Sequence, residues 1–585
     1  MHNPYFTNMQ KIMLAAIMLS ILASFSFACQ EAFATVPVPA VVSGQEGGLL
    51  NVSVHTLPGS GKVFTQISPA VGISTQLSQE EAVRQAFLLS GGEREKCDVY
   101  FSFFDDGNTP AVDGPSAGVA MAVALTAALE AKELRHDVAI TGEILPGGMA
   151  GAVGGIIDKA QASARSGMHI IITPKQQIYD NILLSKLGEK YDIAPFEAKT
   201  LKEAYDVATS KEGEKFSQKF ELEAKEIAPN LPRREMNLLD TKFAEVAKGI
   251  NSQLYAKIIM QREGALAEYA SYFEQEFEKN GKIIDMGYAY TAANNAFLSQ
   301  IDAAFLSIPP QKLDLQKEIL DVEGCLASQP EVEPTEKNFE WVAGADARVA
   351  WAEEKLDEIK KIENGLDSQE GKYLALREVY YAKGWCEAAY YIKRQAKEER
   401  GERINQSALA PLAQDMLEQA QKEIGNSFLP DADAMHHLSL ANSSMQKGKY
   451  LAAIYDISYA RGTQESESAK DLPDIENYTK ALMKEEFSTL WGRTYQSQGI
   501  YGAYSASGEN RSISEGYGVL SLGASMEEGM LRVAQRISSS PISVQVEERG
   551  IMENKLANIF VGGIFFVCII FLGVKISELG GRKGI

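Results

Sequence analysis

A single serine, Ser116, lies between a polar loop and a long apolar run in the stretch AVDGPSAGVAMAVALTAALEA. Forty-three residues later, Lys159 lies in GGIIDKAQASA, among glycine, isoleucine and alanine. A serine hydroxyl is a weak nucleophile until a base takes its proton, and lysine is such a base when burial keeps its amine uncharged near neutral pH. Small apolar neighbours would provide that burial. The pair therefore indicates a nucleophile, Ser116, and its general base, Lys159.

Other interpretations of both residues exist. Serine is preferred at helix starts, where it accepts hydrogen bonds from free backbone amides. The stretch GPSAG also satisfies Gly-x-Ser-x-Gly, the nucleophile elbow of α/β-hydrolases, which requires a strand running into the serine and a later histidine. The preceding DDGNTPAVD is poor strand material. Lys159 could be an exposed helix lysine beside Asp158. The later histidines have no informative context; they are His136, His169, His436 and His437.

Three motifs, DGPSAG, DVAITGEI and GGIIDK, follow one another in order and together resemble the proteolytic domain of Lon proteases. The resemblance covers about Leu49 to Thr209. It implies a Lon-like fold in which Ser116 is the nucleophile and Lys159 the base. It further implies that Thr141 hydrogen-bonds the lysine amine and that Asp113 is a modulating carboxylate beside the site. By residue type alone, Thr141 would be an ordinary strand threonine, and Asp113 would be a loop residue bonded to its own backbone.

The elements that must position these residues alternate between strand-like and helical stretches, which predicts one α/β (α+β) domain over residues 35–210. LLNVSVHTL and KVFTQISPA flank PGSG as a β-hairpin, and SQEEAVRQAFLL opens with the capping box Ser78-x-x-Glu81. CDVYFSFF, DVAIT and HIIITP are predicted strands. The run from Ser116 to Ala131, GGIIDKAQASARSG and LKEAYDVATS are predicted helices, and a glycine-rich turn precedes GGIIDK.

Residues 211–550 are predicted to form a mostly α-helical domain, because long amphipathic stretches follow one another and the strand signal fades. Within it, Tyr501 to Gly518 is rich in glycine and serine and is a predicted loop. The composition leaves three roles open for this domain. It could hold or select substrates, pack protease domains into a ring as the family resemblance implies, or bind another envelope protein.

Both ends of the chain indicate a membrane protein. Residues 1–34 have a lysine followed by an apolar run and Ala32-x-Ala34, the pattern of a cleaved signal peptide, with an uncleaved signal anchor as the alternative. Residues 556–574 contain no charge and are long enough to cross a bilayer as one helix. The tail 575–585 is basic and therefore predicted to be cytoplasmic, which places the bulk of the chain outside the cytoplasm.

Composition and motifs argue against several other classes of protein. The net charge of −21 would repel a phosphate backbone, so no nucleic-acid partner is expected. A phosphate loop requires Gly-x-x-x-x-Gly-Lys-Ser/Thr, but TLPGSGKV has Thr56 and Val63 at the first and last positions. No ATP site or other cofactor is therefore expected. No metal site is expected either, because spacings such as His-Glu-x-x-His are absent. In these respects the chain resembles the membrane-bound Lon-like proteases of archaea that lack an ATPase module.

The five cysteines contain no Cys-x-x-Cys pair. Cys29 and Cys568 lie within or beside apolar segments, which leaves Cys97, Cys325 and Cys386 for the folded part. A disulfide between Cys325 and Cys386 is possible in an oxidising compartment, and unpaired thiols are the alternative.

Together these features predict an ATP-independent serine endopeptidase, anchored to the membrane, that hydrolyses flexible or unfolded polypeptides outside the cytoplasm. The alternative is a non-catalytic membrane-anchored scaffold that retains a Lon-like domain for binding.

Overall fold

The computed structural model describes residues 29–41, 47–66, 69–104, 111–176, 178–216, 226–262, 269–309, 312–363, 369–427, 430–468, 475–505 and 510–539. The described residues up to Arg536 belong to one compact unit. Their first part is a mixed α/β region and their second part is helical.

The α/β region is built on short strands and five helices among its described residues. The strands are β1 (Ala32–Ala40), β2 (Gly48–Pro58), β3 (Val63–Thr65), β4 (Ala70–Val71), β5 (Cys97–Phe104), β6 (Ala111–Val112), β7 (Val138–Ile140), β8 (Glu143–Leu145), β9 (Met149–Gly151), β10 (Ile170–Thr173) and β11 (Ala194–Glu197). The helices are α1 (Ile73–Ser90), α2 (Gly118–Leu129), α3 (Ile156–Arg165), α4 (Ile178–Tyr191) and α5 (Leu201–Ala208).

Two sheets organise this region. The larger has the strand order β1-β2-β5-β3, in which β3 is parallel to β5 and the other pairs are antiparallel. The smaller is parallel, with the order β11-β10-β7. β4 pairs with β6, and β8 pairs with β9 as a hairpin. The predicted strands CDVYFSFF, DVAIT and HIIITP correspond to β5, β7 and β10.

Helix α2 is the centre of the core. Its residues from Gly118 to Ala128 are all buried, because the helix contacts β1 and β2 as well as α1 and α5. A helix covered all round must be apolar all round. This requirement explains the long apolar run that follows Ser116.

The predicted hairpin of LLNVSVHTL and KVFTQISPA is wrong, since β5 lies between β2 and β3. The turn after β2 is held by the carboxylate of Asp98, whose Oδ1 accepts hydrogen bonds from the amides of Ser60 (2.8 Å) and Lys62 (2.9 Å). These two hydrogen bonds tie the start of β5 to the turn between β2 and β3. The same turn belongs to TLPGSGKV, so a protein carboxylate occupies the amides that a phosphate loop would offer to a nucleotide.

The second part of the unit consists of packed helices. They are α6 (Leu238–Arg262), α7 (Ala270–Asp285), α8 (Ala289–Ser307), α9 (Leu315–Ala327), α10 (Phe339–Glu363), α11 (Gln369–Glu398), α12 (Ala410–Gly425), α13 (Ala432–Gln446), α14 (Tyr450–Ser468), α15 (Ile475–Lys484), α16 (Leu490–Ser505) and α17 (Asn510–Ser539). The loop predicted from Tyr501 to Gly518 is wrong at both ends, because α16 and α17 extend into it. Its glycine Gly516 lies so close to Ala503 that a Cβ would approach that side chain to 2.8 Å. This glycine therefore permits close helix packing.

Two disulfides cross-link the unit. Cys325 of α9 is bonded to Cys386 of α11, so of the two alternatives for this pair, a disulfide or unpaired thiols, the structure has the disulfide. Cys29 is bonded to Cys97 at the start of β5. The assignment of Cys29 to the apolar leader is therefore wrong, and the folded part begins earlier than residue 35.

The predicted cleavage after Ala34 falls within β1, where Ala34 pairs with Val54. The rest of the predicted leader, residues 1–28, lies outside the described residues. So do the predicted membrane helix (556–574) and the basic tail (575–585). Among the residues that are described, no helix has the length and hydropathy needed to cross a bilayer.

Candidate active site

Ser116 lies in a short 3₁₀ helix, Pro115–Ala117, that leads directly into α2. The preceding Gly114 has φ +123°, a conformation that glycine adopts far more readily than other residues. Gly114 and Ala117 occupy the two N-cap positions, so the helix-cap interpretation of Ser116 is wrong. The nucleophile-elbow interpretation also fails, because three residues separate the two-residue strand β6 from the serine.

The backbone of Ser116 is fixed from the side of β7 and β8. Its carbonyl oxygen accepts one hydrogen bond from the amide of Gly142 (2.8 Å) and another from the side-chain hydroxyl of Thr141 (3.2 Å). Thr141 is buried, as a residue at the end of a core strand should be. The resemblance places this hydroxyl on the lysine amine; in the structure it binds the serine carbonyl instead.

Two side chains of α1 hold the residues that precede Ser116. The sequence did not predict this role for them. The hydroxyl of Thr75 donates to the carbonyl of Gly114 (3.1 Å), and that of Ser78 donates to the carbonyl of Pro115 (3.2 Å). Ser78 is therefore not a capping residue, because α1 already begins at Ile73. Thr75 and Ser78 are three residues apart and so share one helix face. That spacing is the only sequence signal that could have revealed them.

Lys159 is the fourth residue of α3, and only 4% of its surface is exposed. Burial lowers the pKa of its amine from 10.5 to about 8. Within the described part of the chain no carboxylate forms an ion pair with it, and desolvation is the cause of the lowered pKa. The exposed-lysine interpretation is therefore wrong. An amine with this pKa is partly neutral near pH 7 and able to accept a proton.

Ser116 and Lys159 line the same cavity, whose volume is about 220 Å³. One wall comes from the end of β1, including Val38, and the floor is apolar, with Val52 and Phe103. The cavity thus combines a hydroxyl, a partly neutral amine and an apolar surface. This combination suits nucleophilic attack on a carbonyl group.

Asp113 also borders this cavity, but its side chain is exposed. Its Oδ1 accepts a hydrogen bond from the amide of Gly114 (2.9 Å), as expected for a loop aspartate bonded to its own backbone. The carboxylate packs against Gly72, where a Cβ would lie 2.2 Å from the carboxyl carbon. The structure thus places Asp113 at the rim of the cavity.

Among the described residues, no group of His, Cys, Asp or Glu side chains is arranged to hold a metal ion.

Known proteins are similar to the α/β region of this chain. Residues 41–197 match the family profile of the Lon protease (S16) C-terminal proteolytic domain. Lon protease 1 of Hydrogenovibrio crunogenus is 28% identical over 221 residues, which cover 37% of this chain and 25% of that protein. The Lon protease of Haemophilus influenzae is 32% identical over 198 residues, covering 32% and 23%. The Lon protease of Clostridium acetobutylicum is 36% identical over 140 residues, covering 23% and 18%. The chain thus spans a quarter or less of the length of these relatives.

Proposed function

We propose, from the premise that residues 41–197 form a Lon protease (S16) C-terminal proteolytic domain, that the protein is a serine endopeptidase with a Ser-Lys dyad. The observation that carries the proposal is the burial of Lys159 in the cavity that also contains Ser116, with its pKa lowered to about 8. Burial of a lysine without a carboxylate partner costs stability. Such a cost is typical of a catalytic group and not of a packing residue.

In the proposed reaction the hydroxyl of Ser116 attacks the carbonyl carbon of a peptide bond while the neutral amine of Lys159 accepts the hydroxyl proton. The tetrahedral intermediate carries a negative oxygen, for which the first amides of a helix are suitable donors. The intermediate then collapses: the carbon–nitrogen bond breaks and the ammonium of Lys159 returns the proton to the leaving amine. Water, deprotonated by the same lysine, hydrolyses the resulting ester and restores Ser116.

The proposal extends to substrates and energy source. The substrates are flexible or unfolded polypeptides, because a segment must be extended to place one carbonyl between Ser116 and Lys159. Cleavage is proposed to need no ATP, and the nearest phosphate-loop pattern, TLPGSGKV, supports this because its turn amides bind Asp98. A ring of several copies is proposed only from the family resemblance.

We also propose that the catalytic domain lies outside the cytoplasm and is anchored by residues 556–574. The anchor rests on the uncharged apolar sequence of that segment. The location is supported by two disulfides, Cys29–Cys97 and Cys325–Cys386, since disulfides persist mainly in oxidising compartments. Mass spectrometry of thiol-blocked, non-reduced chain taken directly from the producing cells tests this location; free thiols at all four positions would contradict it.

The peptidase proposal is tested with the full-length chain in mild detergent and a fluorescein-labelled unfolded protein, with and without MgATP. Ser116→Ala and Lys159→Met are each expected to lower cleavage at least a thousandfold. The matched controls are Ser166→Ala and Lys132→Met, which change exposed residues and should cleave like the wild type. ATP should have no effect. Equal cleavage by all variants, or none by the wild type, would contradict the proposal and favour the scaffold alternative.

A further inference from the structure

A cavity of about 430 Å³ lies among the helices of the second part of the unit, lined by α6, α8, α10, α11, α13, α14 and α16. Its volume is within the range typical of sites for small organic ligands. None of its lining residues borders the cavity of Ser116. Whatever it binds therefore occupies a second site, whose occupancy does not depend on the peptidase activity proposed for Ser116.

The most unusual group in this cavity is the guanidinium of Arg348. The residue is 6% exposed, yet among the described residues no carboxylate forms an ion pair with it. Its one short hydrogen bond goes to the carbonyl of Gly344 (2.8 Å), and its contacts with the hydroxyls of Tyr290 and Tyr455 are both 3.4 Å long. Buried charges are normally paired because their desolvation is costly. Arg348 thus has donors available for an anion.

Aromatic rings partly offset that cost. The ring centroids of Trp491, Trp351 and Tyr455 lie 4.8, 5.4 and 5.7 Å from the guanidinium carbon. Cation–π contacts of this kind stabilise a buried cation through the negative faces of the rings. They do not neutralise its charge, so a negatively charged ligand would still be attracted.

The apolar walls of the cavity are held in place before any ligand arrives. The indole Nε1 of Trp351 donates to Oδ1 of the buried Asp456 (2.8 Å), and Nδ1 of His437 lies 2.9 Å from the same oxygen. Trp385 packs edge-on against Trp351, with ring centroids 5.9 Å apart. Fixed rings lower the entropic cost of binding an apolar or aromatic group.

The end of the cavity opposite Arg348 carries acidic side chains, so a ligand with one charged end can bind in only one orientation. On α10, Glu354 and Glu358 follow Arg348 by six and ten residues, or about 9 and 15 Å along the helix axis. Both carboxylates already have partners: Glu354 lies 3.2 Å from His436, and Glu358 lies 3.2 Å from Lys355. Asp433 also lines this end. A buried cation therefore lies at one end and a mainly acidic surface at the other, with aromatic walls between them.

We propose that this cavity binds an organic carboxylate that bears an apolar or aromatic group, with the carboxylate on Arg348 and the apolar group against the wall formed by Trp351 and Trp385. Two sources share this chemistry, the C-terminal residue of a peptide and a free N-acylated amino acid. A ligand with its charge reversed would place a cation on Arg348 and is excluded by repulsion.

Isothermal titration calorimetry of the full-length chain tests the proposal with N-acetylphenylalanine and with the peptide Gly-Gly-Gly-Phe, blocked at its N-terminus so that it carries no cation, each as the free acid and as the C-terminal amide. Both acids, or one of them, should bind at least tenfold more tightly than the matching amide. Binding of the peptide acid alone identifies a chain end as the ligand, and binding of the N-acetyl acid alone identifies a small molecule. Equal binding of acids and amides, or no binding of either acid, overturns the proposal.

Variants locate the binding. Arg348→Gln should weaken binding of the acid at least tenfold, whereas Arg394→Gln, the same change at an exposed position of α11, should leave it unchanged. Glu354→Gln should tighten binding, since it removes a negative charge from the cavity; weaker binding would mean that the site takes cations and would overturn the proposal. This last variant decides the matter even where Arg348→Gln fails to fold. Ser116→Ala should bind like the wild type, which separates this inference from the peptidase proposal.

Discussion

The side-chain hydroxyl of Thr141 donates a 3.2 Å hydrogen bond to the carbonyl oxygen of Ser116, and Ser78 donates to the carbonyl of the residue before it. The carbonyl and the following amide of a trans peptide point in opposite directions. These bonds therefore orient the amides of Ser116 and Ala117 away from Thr141 and Ser78. The side chains that hold Ser116, the proposed nucleophile, thus also direct the two amides that the proposed reaction would use for a developing oxyanion.

Thr141→Val removes this hydroxyl at nearly constant volume. We expect a loss of about 1 kcal/mol in the free energy of unfolding and about a tenfold lower kcat. Thr141→Ser should restore most of both, because it restores the donor. Since the hydroxyl binds Ser116 and not the lysine, the midpoint of the pH–rate profile should stay unchanged. A shifted midpoint would show that Thr141 acts on the amine of Lys159 instead.

The pH dependence of cleavage reports on Lys159. Its pKa is lowered to about 8 by burial, and a lysine can act as a general base only when its amine is neutral. We therefore expect kcat/KM to rise about tenfold per pH unit below pH 8 and to level off above it. Initial rates between pH 6 and 10 check this, with circular dichroism confirming that the chain stays folded over the range. A constant rate across these pH values would remove Lys159 from the role of base.

Lys159→Met should give an inactive protein that is more stable than the wild type. The pKa is 10.5 in the unfolded chain and about 8 in the folded one, so the unfolded state binds more protons between these values and wild-type stability rises with pH there. The cost of burying the charged amine, about 3 kcal/mol, is fully present below pH 8. The stabilisation should therefore be largest at pH 7 and vanish near pH 10.5.

Urea unfolding of Lys159→Met and wild type at pH 7, 9 and 10.5 measures this difference. The exposed Lys132→Met provides the control and should change stability little at any of these pH values. Destabilisation by Lys159→Met at pH 7 would mean that the amine has a buried partner and is not merely desolvated.

Gly118→Ala tests how tightly the start of α2 is packed. A Cβ at this position would lie 2.5 Å from Oγ of Ser78 and 2.6 Å from the amide nitrogen of Ile144. Because the second atom belongs to the backbone, the strand must move, which costs about 1 to 3 kcal/mol and displaces Ser116. We expect a lower melting temperature and cleavage reduced more than tenfold.

The control for this variant is Gly324→Ala in α9, where an added Cβ meets no atom within 4 Å. It should stabilise the protein by about 0.5 to 1 kcal/mol, as replacement of a helical glycine by alanine usually does. Wild-type activity and stability in Gly118→Ala would show that the serine does not depend on this close approach.

The elements whose sequence signal is local could be predicted. The apolar stretches of β5 and β10 and the periodicity of α3 each depend on a few neighbouring residues, so they were found. The burial of Lys159 was also predicted, since its small apolar neighbours lie on the same helix.

The features that escaped prediction depend on residues distant in the chain. The glycine-rich stretch before GGIIDK was predicted as a turn, but it contains β9 and the end of β8, which form a hairpin with strands only three residues long. The order β2-β5-β3 depends on Asp98, which is far along the chain from the turn it holds. Thr75 had no predicted role and Ser78 was predicted only as a helix cap, because their hydrogen bonds form only when the fold places Gly114 and Pro115 beside them.

The position of β1 has a practical consequence for anyone who shortens this protein. The Ala32-x-Ala34 pattern suggests a shortened protein that starts at Thr35. Such a protein lacks Cys29 and the first three residues of β1. The other end of β1 forms a wall of the cavity that contains Ser116 and Lys159. The shortening would also leave the buried Cys97 as a free thiol, open to mispairing with Cys325 or Cys386 during refolding. A shortened protein should therefore retain Cys29, and loss of the proposed cleavage in a version that starts at Thr35 would reflect damage to that wall and not the absence of Ser116 or Lys159.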